Sequence, residues 1–115
     1  MMKRLLLSLA CVAAATALVA AQDSKLVAKG QALTVKNKCS MCHQLAGKGG
    51  KFGKPLDGVV DRLDAAAITK ILNDPQKELP PQAASVPKMP KVAWEKGDVD
   101  AVLAYLKTLK ATPAK

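Results

Sequence analysis

Apolar residues are distributed along this chain in three ways, and each predicts a different kind of segment. The first is a continuous run. Leu5 to Ala21 is apolar apart from Ser8 and Thr16, follows Lys3-Arg4, and ends in Val19-Ala20-Ala21. A basic start, an apolar stretch of 17 residues and small residues at its end form the pattern of a cleaved export signal. The run is shorter than the ~20 residues that span a bilayer. Residues 1–21 are therefore read as a signal peptide and 22–115 as the mature domain, with a retained anchor as the alternative. A lipid anchor on Cys11 fits less well, because Ser8 stands where such a site prefers leucine.

The second distribution is helical. From Ser24 to about Lys38, residues Leu26, Val27, Gly30, Leu33 and Thr34 share one face, with Asp23 or Ser24 as a cap. Glycine inside a helix costs roughly 0.5–1 kcal/mol relative to alanine, so Gly30 points to a close helix crossing. A second helix is predicted from Asp64 to about Asn73, capped by Asp64, with Leu63 placed to staple onto Ile68 and with Ile71 and Leu72 on the same spacing. The last runs from Asp98 to Leu109, where Val99, Val102, Leu103, Leu106 and Leu109 form a stripe. Asp98 and Asp100 sit at its positive end, Lys107 and Lys110 at its negative end.

The third distribution has no period. Gln44 to Gly58 is a loop rich in glycine and lysine. Pro75 to Pro90 holds five of the seven prolines, which predicts an extended, stiff strap in place of helix or central strand. No segment alternates with period two. The prediction is a small all-α domain of three to four helices.

Composition makes that domain incomplete on its own. Removing the first 21 of 115 residues leaves 94, with Phe52, Trp94 and Tyr105 as the only aromatic residues. A chain of this size is marginal without a staple or cofactor, and a large bound group would supply the missing bulk. Without Lys3 and Arg4 the 18 basic residues become 16 against 9 acidic, a net charge of +7. All of the 16 except Arg62 are lysine, a hydrated point charge suited to steering more than to clamping. No aromatic residues interleave the lysines and the chain reads as exported, so nucleic acid is not an expected partner.

The chemistry concentrates in Cys39-Ser40-Met41-Cys42-His43. Two thiols at this spacing match the two vinyl groups of a haem, and the next residue supplies an imidazole as axial ligand. Counting weighs against other uses of the motif. His43 is the sole histidine, so neither a two-histidine zinc site nor a blue-copper site can form. An all-cysteine zinc site needs four thiolates, and the mature chain has two. A thioredoxin-like pair would need a βαβ pattern, and a plain disulfide would close too short a loop to constrain much. For the sixth ligand the mature chain offers Met41, inside the attachment loop, and Met89, between Lys88 and Pro90 and 46 residues after His43. Pro90 favours an extended Met89, so the strap can present its thioether; Lys88 or Lys91 is the alternative ligand. A histidine–methionine pair raises the potential and leaves no open position, which favours electron transfer over catalysis.

In its ordered motifs the chain resembles small bacterial class I cytochromes c, over nearly all of Ser24 to Leu109. The likeness rests on Gly30 nine before Cys39, the attachment motif, Gly53-Lys54-Pro55-Leu56-Asp57-Gly58, Met89-Pro90 and Tyr105-Leu106. It implies the cytochrome c fold around one covalently attached haem c, with first and last helices crossing near Gly30 and Tyr105. It also implies that a proline carbonyl, here Pro55, accepts the N–H of the haem histidine. Two features depart from the family pattern. Thr34 and Val35 stand where an aromatic residue is usual, and Lys54 precedes Pro55 where the family commonly has Gly-Pro-x-Leu-x-Gly. Trp94 matches no family tryptophan and is read as core packing.

The expectation is a monomeric, periplasmic single-haem electron carrier that is not an enzyme and has no stable membrane insertion after signal cleavage. The resemblance puts Lys48, Lys51, Lys54, Lys88 and Lys91 beside the exposed haem edge, suited to redox partners with acidic surfaces. The alternatives are a fixed haem subunit of a dehydrogenase or oxidase complex, and a haem sensor or peroxidase with a displaceable Met89.

Overall fold

In a computed structural model, which describes residues 23–111, helices account for most of the regular structure. Residues 1–21, read above as a signal peptide, lie outside the described residues. Helix α1 occupies 23–36 of them, and its predicted face is the less exposed one: Gly30 and Thr34 are buried, and Leu26, Val27 and Leu33 half-buried. Asp23 and Ser24 are already helical, so neither is its cap. The helix ends at Lys36, and after it Lys38, with a left-handed backbone (φ 55°), turns the chain into a single 3-10 turn, Cys39–Met41.

Two strands too short for any alternation to register follow the motif. Strands β1 (Gln44–Leu45) and β2 (Lys48–Gly49) pair antiparallel, Gln44 opposite Gly49 and Leu45 opposite Lys48. Ala46 and Gly47 join them with positive φ of 53° and 77°, the backbone signature of a tight two-residue hairpin. Helix α2 (Val59–Arg62) starts from left-handed Gly58. Helix α3 (Ala65–Asn73) is capped as predicted, the Asp64 carboxylate accepting from the Ala67 N–H at 2.7 Å. Leu63 is 38% exposed, so it gives little staple.

The proline strap begins later than its composition suggests. Pro75 opens a helical turn, α4 (Pro75–Glu78), and only from Leu79 does the chain become irregular. Proline is accepted at the first position of a helix because its missing N–H would have no partner there. Four prolines remain in the strap, at 80, 81, 87 and 90. Helix α5 (Asp98–Thr108) follows it.

Helix α5 is the centre of the packing. Its Val102, Leu103 and Leu106, with Leu109 beyond its end, are buried and meet Leu45, Val59 and Ile68 from the rest of the chain, and its Ala101 is buried as well. Burying each large aliphatic side chain stabilises by roughly 1.5–3 kcal/mol. Helix α1 crosses α5 at Gly30, where an added Cβ would land on the Ala101 carbonyl and lie 2.9 Å from the Tyr105 Cβ. The crossing explains the helical glycine. Lys29 pairs with Asp98 across the same contact at 3.3 Å. Among the described residues no helix is long and apolar enough to cross a membrane.

Candidate haem-binding site

The left-handed turn at Lys38 and the 3-10 turn after it bring the motif's ends together. The Cys39 carbonyl accepts from the N–H groups of both Cys42 (3.3 Å) and His43 (3.0 Å). Both thiols are free and half-buried. Burial pushes the Cys39 thiol above its usual range, against a smaller opposing effect of its own backbone N–H.

The loop beyond is stitched back under the motif. Gly50 N–H donates to the Ser40 carbonyl at 2.8 Å, Gly53 N–H to that of Cys42 at 2.7 Å, and Leu56 N–H to that of Gln44 at 2.8 Å. Glycine is needed at these contacts. A Cβ on Gly50 would strike the Met41 carbonyl, and one on Gly53 would lie 2.5 and 2.6 Å from Cε1 and Nδ1 of His43. The imidazole therefore lies against a bare backbone. Asp57, buried in the same loop, accepts from the N–H groups of Ala46 (2.6 Å) and Gly47 (2.8 Å) and so holds the hairpin turn.

The tautomer of His43 follows from its partner. Its Nδ1 lies 2.7 Å from the Lys54 carbonyl, and a carbonyl can only accept, so Nδ1 carries the hydrogen. In the neutral ring Nε2 then keeps its lone pair for a metal. The acceptor differs from the expected Pro55. The pattern counts from Gly53 and Leu56, and the first position after the glycine provides the carbonyl whether or not it is proline. The Pro55 carbonyl instead accepts from the Arg62 guanidinium at 2.6 Å.

Met89 is half-buried in the strap. With Leu79, Pro81, Val86 and others it lines a cavity of about 590 Å³. The structure brings Cys39, Cys42, His43 and the Gly53–Asp57 loop together; no residue of the attachment loop lines the strap cavity. Trp94 packs against the core and its indole N–H donates to the Leu72 carbonyl at 2.8 Å.

Two free thiols three apart and an adjacent imidazole with an available Nε2, resting on a glycine cradle, fit covalent haem. Cys39 and Cys42 would hold the macrocycle and His43 the iron. Gly53, Lys54 and Asp57 are the supporting residues that the motif alone does not reveal. Gly53 and Asp57 stand in the loop pattern, but only the fold shows what they touch.

Comparison with known proteins points to the same cofactor. A family model described as Cytochrome c matches residues 27–110. Among curated proteins no match is found.

Proposed function

Because the chain belongs to the cytochrome c family, and so binds haem c covalently through Cys39 and Cys42, we propose that it is an exported single-haem electron carrier and not an enzyme. The observation that carries this reading is the His43 ring, whose Nδ1 is engaged by Lys54 at 2.7 Å and whose Nε2 is left to the iron. The haem, when bound, supplies a one-electron couple. His43 and Met89 would hold its iron, and no second histidine remains for acid–base work. Fixed ligands on both sides leave little to rearrange when an electron moves. The pattern of residues 1–21, read as an export signal, supports a carrier that works in the periplasm.

Partners are redox proteins with acidic surfaces, met by the monomer. Lys48, Lys51, Lys54, Lys88 and Lys91 are all exposed. Met41 and Phe52, 66% and 61% exposed, sit on the two segments joined by the Gly50 and Gly53 hydrogen bonds, so apolar contacts are available among the charges. Lysines of this kind mainly raise association rates, and salt screens them.

Carbon monoxide mixed with the reduced holoprotein at neutral pH tests the closed site. A carrier with Met89 on iron binds it slowly and incompletely. A rapid stoichiometric adduct would point to a sensor or peroxidase. Electron-transfer rates with the physiological partner should fall as salt rises, and salt-independent rates would remove the docking claim. Gel filtration of native extract separates a free carrier from a subunit fixed in a larger complex.

A further inference from the structure

We propose that Trp94 is the positioning residue for the sixth ligand: its indole N–H fixes the far end of the strap and thereby the register in which Met89 is presented. The proposal rests on the reading of Met89 as an axial ligand.

The strap has few internal supports. Its near end is set by Pro75, which is fully buried, and by the Leu79 N–H donating to the Pro75 carbonyl at 3.0 Å. Between residues 80 and 91 the one backbone hydrogen bond among the described residues is Val86 N–H to the Ala83 carbonyl, 3.0 Å. Pro80, Pro81, Pro87 and Pro90 have no N–H to offer. Stiffness alone does not define a position, because a rigid strap still pivots about whatever holds its ends.

The far end is held at Trp94. The Leu72 carbonyl that accepts its indole N–H lies in the last turn of α3, where carbonyls lack helical donors. The bond joins residues 22 apart in sequence, and the ring packs on the core beside Leu72. Trp94 also closes a tight turn through its own N–H to the Val92 carbonyl, 3.1 Å. From the next residue onward the chain is fixed to the rest of the fold. Glu95 N–H donates to the Asp98 carboxylate at 3.0 Å, and Asp98 pairs with Lys29 of α1. Trp94 is thus the first firm anchor after Met89, five residues upstream. Bulk alone would serve as packing; a directional hydrogen bond sets the rotamer and the strap with it.

The test uses the holoprotein in four forms: wild type, Trp94→Phe, Trp94→Ala and a core control, Val102→Ala on α5. Imidazole is the competing ligand, and its association rate with ferric haem reports how often Met89 leaves. The weak red charge-transfer band of the iron–methionine bond confirms ligation, and amide exchange at Val86, the hydrogen-bonded amide of the strap, reports the strap directly. Trp94→Phe should accelerate imidazole binding about fivefold, the equivalent of one hydrogen bond of about 1 kcal/mol. Trp94→Ala should accelerate it further, while Val102→Ala lowers global stability and leaves the rate within about twofold. The Val86 amide should exchange faster in both Trp94 variants. A band present in wild type with an unchanged rate in Trp94→Phe, or with equal acceleration in Val102→Ala, overturns the positioning role alone. A wild-type spectrum without the band overturns the ligand reading, and the positioning role with it.

Discussion

The attachment loop and the strap that carries the proposed sixth ligand are held by opposite means. In the loop from Cys39 to Gly58, backbone hydrogen bonds tie Gly50, Gly53 and Leu56 to the motif, and the buried Asp57 ties the hairpin turn to the same loop. Every contact of the His43 ring described here is with backbone: the Lys54 carbonyl on Nδ1 and Gly53 beneath. The strap has almost no such bonds and depends on its ends, Pro75 and Trp94. The geometry of the histidine side is set by backbone groups, which cannot rotate away as a side chain can. The methionine side is set by anchors at a distance, so it is the side that opens first when the fold loosens.

Substitutions can break or sharpen that contrast. The largest effect is expected in the loop at Gly53→Val, where the side chain must occupy the space of the imidazole. Overpacking here should cost about 3 kcal/mol and displace the histidine. A lowered denaturant midpoint together with a disturbed ferrous spectrum would show both. Asp57→Ala comes next. It leaves the Ala46 and Gly47 N–H groups without their acceptor, at a cost of about 2 kcal/mol in a denaturant titration. Adding Ala46→Gly should recover roughly 0.5–1 kcal/mol, since alanine there has φ 53°.

Asp98 tests the frame that both regions share, through pH. The Glu95 N–H holds its carboxyl below the usual aspartate range; burial opposes this, and Lys29 and Lys36 assist. A carboxylate with a depressed folded value stabilises above its unfolded value of about 4 and loses that contribution as pH falls through the lower one. Asp98→Asn should therefore be less stable than wild type at neutral pH, by less than Asp57→Ala, and the gap should close in acid. A gap that widens in acid would show that the sign is wrong. The smallest effect belongs to the strap. Pro87→Ala touches no described hydrogen bond and should cost only about 0.4–1 kcal/mol, through added freedom of the unfolded chain. A loss as large as that of Gly53→Val would erase the contrast between loop and strap.

How much of this was readable in the sequence depends on the range of the interactions. The helices around Leu33, Ile68 and Leu103 were legible because a buried stripe repeats locally, and the Asp64 cap because its signal lies within one turn. The helix crossing was legible because Gly30 had no other good reason to be in a helix. The hairpin was not legible. Its strands have two residues each, and its left-handed turn is held by Asp57, 11 and 10 residues away from Ala46 and Gly47. Helix α4 was hidden by the proline count, although Pro75 occupies the one helical position that tolerates it. At the site, the thiols and His43 were fixed by chemistry and counting. The Lys54 acceptor was missed because the proline was used as the marker when the glycine sets the register. Trp94 gave no local signal, since its partner Leu72 is brought near only by the fold.

The absorption spectrum of the holoprotein, oxidised and reduced at neutral pH, in wild type and Met89→Ala, tests the account's central claim most directly. A closed histidine–methionine haem c predicts low-spin spectra in both oxidation states and the red iron–methionine band in the oxidised wild type. Met89→Ala should lose that band and keep the bands of covalently attached haem. A wild type without the band, or a Met89→Ala variant that retains it, would contradict the account.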